Sequence, residues 1–388
     1  MTAERIAPPL SLYVHWPFCL AKCPYCDFNS HVRESVDHDH WAQALHRELD
    51  HFASITKERS LVSIFFGGGT PSLMHPATVD SLIDRATQTW PADPRIEVTL
   101  EANPTSVEAS RMADFAAAGV NRISLGVQSM DDDALRFLGR SHTVAEALSA
   151  VEIARKSVPR HSIDLIYARP DQTRAAWRGE LTRALSMVDS HVSTYQLTIE
   201  KATPFHAAMR RGELAVADED TATELFEDTQ EIMENAGLPA YEVSNHAEPG
   251  AECRHNLACW LGGEYVGIGP GAHGRFRYEE EWQATVQLRA PEAWLTAVIE
   301  RGHGIQRAES LSPAQRLEEL ILTGLRLRHG IPRRTFDDIA ARSPEATLDT
   351  NRLDRLINGG FLTLDEGGLR ATGSGRRRLN AVIGALIA

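Results

Sequence analysis

Three cysteines within eight residues constrain this chain more than any other feature of its sequence. Cys19, Cys23 and Cys26 are separated by three and then by two residues, and they follow the apolar residues 12–14. Such short spacers allow three thiolates to turn toward one metal ion or one iron–sulfur cluster. A [4Fe–4S] cubane that is fully held by protein uses four cysteines. A cubane held here would therefore keep one iron for a ligand that is not a side chain.

Three other interpretations of these cysteines are weaker. Disulfides are rare in a reducing cytosol, and residues 1–9 contain no hydrophobic segment typical of a secretory signal. A structural zinc site needs a fourth Cys or His at a short spacing, and no second C-x-x-C follows. A thioredoxin-like C-x-x-C is conceivable but leaves Cys19 without a role. The spacing therefore favours a cluster.

The composition limits the class of function. With 388 residues, the chain is long enough for two or three domains. Its net charge of −13 argues against sequence-independent nucleic-acid binding, which requires a basic surface. No apolar run reaches the length of about 18 residues that a transmembrane helix needs. We expect a cytoplasmic protein that binds no nucleic acid and spans no membrane, and a peripheral position at the membrane stays open.

Strand-like and helix-like segments alternate through the first 205 residues. This alternation predicts an α/β fold with one parallel sheet, either a barrel or a doubly wound sheet. Polar and glycine-rich residues follow directly after several strands, where (β/α) barrels collect their chemistry. The predicted strands are 12–15, 61–66, 96–101, 122–127, 162–167 and 193–199, and the predicted helices are 39–52, 76–90, 106–118, 143–157 and 172–188.

The pattern changes after about residue 205 and again near residue 308. The last part reads as helices followed by a hairpin, which indicates a winged-helix-like module. The predicted domains are residues 1–205, 206–307 and 308–388. The predicted helices are 207–211, 218–234, 313–327, 334–341 and 353–358, the predicted strand is 241–244, the glycine-rich segment is 262–274 and the predicted hairpin is 362–369.

Several polar or glycine-rich features lie in, at or after the predicted strands. The sequence GGGTP at 67–71 lets the backbone approach a ligand closely, and it is no Walker loop because no Gly-Lys-Ser/Thr follows. Glu101 could instead be one partner of a buried structural ion pair. Gln128 could instead form hydrogen bonds at the edge of the core. Arg140 could be a solvated helix-end charge. Asp164 lies in an apolar strand, where an unpaired carboxylate is costly, so we expect a partner for it.

These motifs together resemble the radical S-adenosylmethionine (SAM) enzymes. The sequence YVHWPFCLAKCPYCDF at 13–28 is similar to one branch in particular, the HemN/HemW group. That group contains oxygen-independent coproporphyrinogen III dehydrogenases and related heme chaperones. The resemblance implies an incomplete, six-stranded, TIM-like (β/α)6 barrel. It also implies that Cys19, Cys23 and Cys26 hold a [4Fe–4S] cluster whose fourth iron is chelated by SAM.

The same resemblance implies which residues contact SAM. The sequence at 67–71 is similar to the segment that contacts the methionine amino group of SAM in this family. The chain departs from the family at Ala168 and Arg169, where Gly-Leu or Gly-Ile is expected before Pro170. The residues implied to bind SAM are Tyr13, Tyr25, Gly68, Gly69, Thr70, Glu101, Gln128, Arg140 and Asp164.

A second motif concerns heme. The sequence CRHNLACW at 253–260 resembles the H-N-x-x-Y-W element linked to heme in the chaperones, with Cys259 in place of the tyrosine. Imidazole and thiolate are both axial ligands of heme iron, so His255 is a candidate ligand and Cys259 a weaker one. Two other interpretations stay open: packing on one helical face, and a zinc site formed by Cys253, His255 and Cys259. The loop GIGPGAH at 267–273 resembles one near the SAM end of the family's barrel.

Three features favour the heme chaperones within this branch. Few residues precede Cys19, no fourth cysteine closely follows Cys26, and the His255 element is present. We therefore expect a protein that binds a [4Fe–4S] cluster, SAM and heme, and that transfers heme transiently to membrane respiratory proteins. An electron donor for the cluster would be a further partner.

Two alternatives remain. One is a coproporphyrinogen III dehydrogenase, which forms protoporphyrinogen IX by radical oxidative decarboxylation. The other is a radical SAM enzyme that acts on a different substrate. The sequence does not decide whether SAM is cleaved or only bound, and so it leaves open whether the chain is an enzyme.

Overall fold

The computed structural model describes residues 7–340 and 342–387. The parts of our predictions that concern residues 1–6, Ala341 and Ala388 lie outside this range. The strands are β1 (Pro9–Trp16), β2 (Phe18–Cys19), β3 (His31–Val32), β4 (Ser60–Gly68), β5 (Ala92–Ala102), β6 (Arg122–Gln128), β7 (Arg160–Tyr167), β8 (His191–Gln196), β9 (Asn245–Ala247), β10 (Glu264–Ile268), β11 (His273–Tyr278), β12 (Glu281–Gln287), β13 (Ile305–Leu311), β14 (Leu362–Asp365) and β15 (Gly368–Ala371).

Helices follow most of these strands, and a 3₁₀ turn (Pro71–Leu73) follows β4. The helices are α1 (His38–Ile55), α2 (Pro76–Thr89), α3 (Ser106–Ala109), α4 (Met112–Ala117), α5 (Asp132–Phe137), α6 (Val144–Ser157), α7 (Arg174–Leu185), α8 (Pro204–Arg210), α9 (Glu219–Asn235), α10 (Arg254–Trp260), α11 (Pro291–Arg301), α12 (Pro313–Gly324), α13 (Arg333–Ala340), α14 (Pro344–Thr347), α15 (Thr350–Asn358), α16 (Gly373–Arg376) and α17 (Leu379–Ile387).

One sheet of eleven strands organises most of the chain. Its order is β13-β12-β11-β10-β1-β4-β5-β6-β7-β8-β9. The strands from β10 to β8 in this order are parallel, while β9 and the ribbon β11 to β13 are antiparallel additions at the two ends. Within the described residues the two end strands do not pair with each other. The predicted α/β fold with six strands in an incomplete, open barrel is confirmed, with β1 and β4 to β8 as those strands.

The two faces of this sheet differ in chemistry because successive side chains of a strand point to opposite sides. On β1, Leu10, Leu12 and Val14 are fully buried in the core that the helices share. The residues between them are polar or aromatic, and the same alternation recurs on the neighbouring strands. We call this second side the polar face, and it carries Ser11, Tyr13, His15, Ser63, Phe65, Glu97, Thr99, Glu101, Arg122, Ser124, Ser162, Asp164, His191, Ser193 and Tyr195.

Two predicted elements differ from the structure. The helix predicted at 106–118 is two helices, α3 and α4, because residues 110 and 111 form a turn in which Arg111 N donates to Glu108 O, three residues back. The strand predicted at 241–244 is wrong, since these residues form bends and the strand β9 begins at Asn245. There the Glu242 carboxylate accepts hydrogen bonds from Ser244 N and Asn245 Nδ2, which offers the backbone an alternative to a strand ladder.

The glycine-rich segment predicted at 262–274 contains two strands that were not predicted. Gly267 lies in β10, where an added Cβ would meet His273 O at 2.1 Å. Close approach of two backbones therefore requires glycine in this strand, and it hides the strand from a pattern based on large apolar residues. The helix α5, the short pair β2 and β3, and the strands β11 to β13 were not predicted either.

The C-terminal part has its own hydrophobic cluster, which contains Leu320, Phe336, Leu353, Leu369 and Ile383. The predicted hairpin is confirmed as β14 and β15, which pair antiparallel. The helices α13 to α15 precede this hairpin and α16 and α17 follow it. Among the described helices, none combines the length and apolar character needed to cross a bilayer.

The departure at Ala168 and Arg169 creates a buried ion pair. Ala168 has a φ of +57°, in the left-handed region that glycine adopts without strain, and alanine pays about 1–2 kcal/mol there. The side chains of Arg169 and Glu180 are each 8% exposed, and their Nη2 and Oε2 atoms lie 2.5 Å apart. Glu180 Oε1 also accepts hydrogen bonds from Ser129 Oγ and Met130 N. The pair therefore connects the segments that follow β6 and β7.

We predict that breaking this pair on one side destabilises the fold. R169M or E180M leaves one charge buried and unpaired, so each should lower the free energy of unfolding by about 3–5 kcal/mol. The double variant R169M/E180M should lose clearly less than the sum of the two, because it leaves no uncompensated charge. Chemical denaturation measures all three.

The exposed pair Arg211–Glu213 serves as the matched control for this cycle. Its side chains are 58% and 57% exposed, so removing either one should leave the stability nearly unchanged. Additive losses in the Arg169 and Glu180 cycle would show that the buried pair contributes no coupling.

Candidate functional site

The three cysteines lie in the loop that leaves β1. This loop is closed by β2 and β3, and Cys26 N donates a hydrogen bond to Cys23 O over 3.1 Å. All three thiols are partly exposed and line one cleft of about 440 Å³ at the carboxyl ends of the parallel strands. We call this cavity the cysteine cleft. It is also lined by the predicted residues Tyr25, Gly68, Gly69, Thr70, Glu101, Gln128, Arg140 and Asp164.

A chain of polar side chains joins two of the cysteines. Thr70 Oγ1 donates to Cys19 Sγ over 3.3 Å, and Arg140 Nη1 donates to Cys23 Sγ over 3.4 Å. Asn103 connects these two donors, since its Nδ2 donates to Thr70 Oγ1 and its Oδ1 accepts from Arg140 Nη2. Hydrogen bonds and a nearby cation stabilise the thiolate form, which is the form that ligates metals.

Burial nevertheless raises the pKa of Cys19, and the hydrogen bond from Thr70 and the charge of Arg140 act against that rise. Cys26 Sγ also has a polar neighbour, Ser30 Oγ at 3.7 Å. Each of the three thiols therefore lies beside a polar group that can support ligation.

Two glycines pack closely against the cysteine loop and the His15 ring. A Cβ added to Gly69 would lie 3.0 Å from Cys19 Sγ and 2.8 Å from Phe18 O. Gly68 has a φ of +117°, and a Cβ there would lie 2.7 Å from the His15 ring. Any side chain at these positions would therefore displace the cysteine loop or fill the space in front of it.

Two half-buried carboxyl groups of the polar face, Glu101 and Asp164, face the cleft. Burial and the nearby Asp164 raise the pKa of Glu101 to about 8, against the hydrogen bond from Gly68 N. Burial also raises the pKa of Asp164, although Ser124 Oγ donates to it over 3.3 Å. Each carboxyl group thus resists ionisation in the free protein, and a cationic ligand in the cleft would favour the ionised forms.

Gln128 and Tyr25 also line the cysteine cleft. Gln128 has a φ of +68°, an uncommon conformation for a residue with a side chain, and it ends β6 at the cleft. The Tyr25 ring packs against Phe205 with 6.4 Å between ring centroids. Tyr195 and Glu200 also line the cleft, and the sequence analysis did not select either of them.

Tyr13 and His255 lie in a second cavity of about 510 Å³ that adjoins the first. Phe28, Gly68 and Glu101 line both cavities. We call the second cavity the histidine chamber, because His15, His255 and His273 all line it. Its volume falls within the range of about 300–1,000 Å³ that ligand pockets occupy.

His255 occupies the buried end of this chamber at 8% exposure. Its ring stacks on Phe65 and Tyr13, with 4.9 Å and 6.0 Å between ring centroids. Its Nδ1 lies 3.5 Å from Ser63 Oγ, and its Nε2 lies 3.8 Å from Cys259 Sγ. Burial lowers the pKa of His255 to about 4, so the imidazole is neutral at pH 7 and able to ligate a metal.

Cys259 is less suited to ligation than His255. Burial raises the pKa of Cys259 to about 12, so the thiol stays protonated at pH 7, whereas the thiolate is the ligating form. Cys253 is the N-cap residue of α10, and its Sγ donates to Glu97 Oε1 over 3.4 Å. Across residues 7–340 and 342–387, no three His, Cys, Asp or Glu side chains converge on a single ion.

This lack of a converging ligand set among the described residues argues against a zinc site but not against a cluster. It gives no support to the alternative of a zinc site formed by Cys253, His255 and Cys259, because zinc requires its ligands to converge on one ion. Each thiolate of a cubane binds a different iron, so Cys19, Cys23 and Cys26 need not converge in that way.

Several residues of the two cavities were missed by the sequence analysis. Asn103 lies in the segment that follows β5, and it was not selected as a site residue. His15 belongs to β1, and its Nδ1 and Nε2 lie 3.0 Å from Tyr13 Oη and Asn29 O. Asn29 and Arg289 are brought together from distant parts of the chain, since Asn29 Nδ2 donates to Arg289 O over 3.0 Å. A contact of this kind leaves no periodic signal in the sequence.

Family models match two parts of the chain. The radical SAM superfamily model covers residues 13–184, and the HemN C-terminal domain model covers residues 311–378. The mitochondrial radical S-adenosyl methionine domain-containing protein 1 of Danio rerio is 38% identical, over 97% of this chain and 86% of its own length. The heme chaperone HemW of Escherichia coli (strain K12) is 36% identical, over 98% of this chain and 99% of its own.

A solved structure shares the fold. The coproporphyrinogen III oxidase HemN of Escherichia coli superposes with a TM-score of 0.81, over 99% of this chain and 91% of that chain, at 21% identity. At this identity the likeness concerns the fold. The sequence relatives extend over almost the whole chain, and the chain therefore belongs to the radical SAM superfamily, in the family that includes the HemW heme chaperones.

Proposed function

We propose that this protein is a heme chaperone of the HemW type. It binds a [4Fe–4S] cluster, SAM and heme, and it delivers heme to respiratory hemoproteins at the membrane. The observation that carries this proposal is the neutral imidazole of His255 at the buried end of a chamber that adjoins the cysteine cleft. The relatives named heme chaperone HemW, which are 36% identical over nearly the whole chain, support it.

Cys19, Cys23 and Cys26 would hold the cluster. The donor set suits it, since Thr70 and Arg140 donate to two of the thiols. The close packing of Gly69 against the cysteine loop, where an added Cβ would lie 3.0 Å from Cys19 Sγ, supports a fixed position for that thiol. A reduced cluster of this kind supplies the electron for reductive cleavage of SAM.

The residues of the cysteine cleft would bind SAM. Glu101 and Asp164 are acceptors for its ammonium and hydroxyl groups, and Arg140 with Asn103 offers donors beside the cysteines. Gly68, Gly69, Thr70, Gln128 and Tyr25 line the same cleft and complete the proposed SAM set. Tyr13 lines the histidine chamber and not the cysteine cleft, and it shares that chamber with Gly68 and Glu101, so its proposed contribution is indirect.

His255 would be the protein ligand of heme iron. Its neutral ring offers a nitrogen lone pair at pH 7, whereas the protonated thiol of Cys259 does not offer a thiolate. Ser63, which accompanies His255 Nδ1, itself donates to Ser11 Oγ over 2.8 Å. This arrangement leaves Nε2, beside Cys259, as the nitrogen directed away from the sheet's hydroxyl groups.

The dehydrogenase alternative shares the fold and the proposed cofactors. The likeness to HemN supports the fold but not the reaction, because the identity is only 21%. An assay of product formation therefore decides between the two functions.

We predict that the cluster depends on the three clustered cysteines. Replacing Cys19, Cys23 or Cys26 by alanine should abolish the visible absorbance and lower the iron content of anaerobically reconstituted protein, because each removes one of three thiolate ligands. C259A, which changes a cysteine outside the cysteine cleft, is the control and should retain both signals. Unchanged iron content in all three variants would disprove the assignment.

We predict that SAM binds more tightly as the pH rises from 6 to 9. With the pKa of Glu101 raised to about 8, the cationic groups of SAM must displace a proton below that pH. Isothermal titration of the reconstituted protein should show up to about tenfold gain in affinity per pH unit below the pKa. E101Q should bind weakly and lose most of this dependence, while the α9 variant E227Q should behave as the unmodified protein. A flat pH profile in the unmodified protein would contradict the role of Glu101.

We predict saturable heme binding that depends on His255, without porphyrinogen turnover. Heme titrated into reconstituted protein should give a Soret band, and H255A should shift that band and lower the affinity at least about tenfold. H329A, which removes an exposed histidine of the C-terminal module, is the control. Thermal melting of each variant establishes that it is folded.

The same protein should then be reduced, given SAM and incubated with coproporphyrinogen III. Formation of protoporphyrinogen together with 5′-deoxyadenosine would establish the dehydrogenase and refute the chaperone. 5′-Deoxyadenosine with neither heme binding nor protoporphyrinogen would indicate a radical SAM enzyme with another substrate.

A further inference from the structure

The exposed end of the histidine chamber carries positive charge in a protein whose net charge is −13. His15 and His255 are buried at its inner end, at 6% and 8% exposure. Phe28, His273 and Arg289 also line the chamber but are exposed, and Phe28 retains 64% of its accessible surface. The chamber thus runs from neutral imidazoles inside to a cationic rim outside.

Arg289 is the main charge of this rim. Within the described residues, no carboxylate lies within 4.0 Å of its guanidinium, although most other arginines near the chamber are paired. Arg33 pairs with Glu292 at 2.5 Å, and Arg275 pairs with Glu319 at 2.9 Å. An unpaired guanidinium at a cavity mouth is available for a ligand, and its planar fork matches a carboxylate.

Arg289 is also one of three arginines whose charge acts on His273. Burial lowers the pKa of His273, and Arg275, Arg289 and Arg307 lower it further. Burial likewise lowers the pKa of His31 on the adjacent loop, and Arg33, Lys22 and Arg289 act in the same direction against Glu292. Arg33, Arg275 and Arg307 are each paired with a carboxylate. Of these four arginines, Arg289 is therefore the one whose charge is available to attract an anionic group.

The rim is held in place by one residue of the cysteine loop. Asn29 Nδ2 donates to Pro270 O over 2.9 Å and to Arg289 O over 3.0 Å. Gly271 has a φ of +77°, and a Cβ there would lie 2.7 Å from Asn29 Nδ2. Asn29 O also accepts from His15 Nε2 over 3.0 Å. The backbone of Arg289 is therefore fixed relative to the inner histidines, and the rim is a built part of the chamber.

We propose that the histidine chamber recognises the carboxylate side chains of a porphyrin-type macrocycle. Arg289 and His273 bind these carboxylates, and the ring of the macrocycle faces His255. This inference rests on the proposed heme-binding function and specifies which chemical groups of the ligand the protein recognises. Apolar contacts from Phe28 and Tyr13 suit the face of a flat ring, and the charged rim suits acidic groups at its edge. A neutral ligand would leave the guanidinium of Arg289 without a charged partner.

The test compares hemin with hemin dimethyl ester, which keeps the ring and the iron but lacks the two carboxylates. Both are titrated into the full-length reconstituted protein and into R289Q, H273Q and R289Q/H273Q, with Soret absorbance as the readout. R334Q is the control, because it removes the same charge from α13, outside the chamber.

We expect the unmodified protein to bind hemin at least about tenfold more tightly than the ester. R289Q should weaken hemin binding by about tenfold and leave ester binding unchanged, and R289Q/H273Q should weaken hemin binding further. Added salt should weaken hemin binding in the unmodified protein more than in R289Q, because the charge pair is partly exposed. R334Q should match the unmodified protein throughout.

Three results would overturn the inference. Equal affinity for hemin and ester would show that the carboxylates are not read. Unchanged hemin affinity in R289Q/H273Q would show that they are read elsewhere. Unchanged hemin affinity combined with slower reduction of the cluster by an electron-donor protein would identify the rim as a protein-docking surface.

Failure of the proposed function itself looks different. In that case the unmodified protein shows no saturable binding of hemin or ester, or H255A binds both as tightly as the unmodified protein does.

Discussion

The structure depends on a sheet face that is both polar and shielded from water. An uncompensated charge in such a place costs several kcal/mol, so each ionisable group needs a partner or must stay neutral. Arg122 is 3% exposed and donates to Ser162 Oγ over 3.0 Å, and Glu97 pairs with Arg160 at 2.5 Å. His191 stays neutral, because burial holds its pKa well below the usual value. The polar atoms of the lower part are thus hydrogen-bonded within the protein, although no carboxylate lies within ion-pair distance of Arg122 among the described residues.

The upper part of the same face is not satisfied in this way. Glu101 and Asp164 have hydrogen-bond donors but no cation within ion-pair distance among the described residues, and the pKa of each is raised. These two groups lie where the parallel strands end, next to the three cysteines. The contrast between the two ends separates structural polar residues from those that face a ligand. It follows from burial and pairing, and the residue types alone do not reveal it.

The fold could be predicted because each of the six strands is contained in a few consecutive residues. The cysteine motif and the glycines at the end of β4 are just as local, and the structure brings both to one cleft. Sequence reasoning failed where the deciding contact joins distant segments, as between Asn29 and Arg289, or where close backbone packing replaced a hydrophobic pattern, as at Gly267 in β10. Arg169 illustrates both: its departure from the family was visible, but its partner Glu180 was not.

The wall shared by the two cavities has a thermodynamic consequence. Phe28, Gly68 and Glu101 line both the cysteine cleft and the histidine chamber, so ligands bound in the two cavities would meet the same three residues. Any change in affinity that one ligand causes in the other must then be reciprocal, because the coupling free energy belongs to the pair. Occupancy of the cleft would set how readily the chamber loads and unloads. A shared wall of three residues would thus let a ligand in one cavity alter the retention of a ligand in the other.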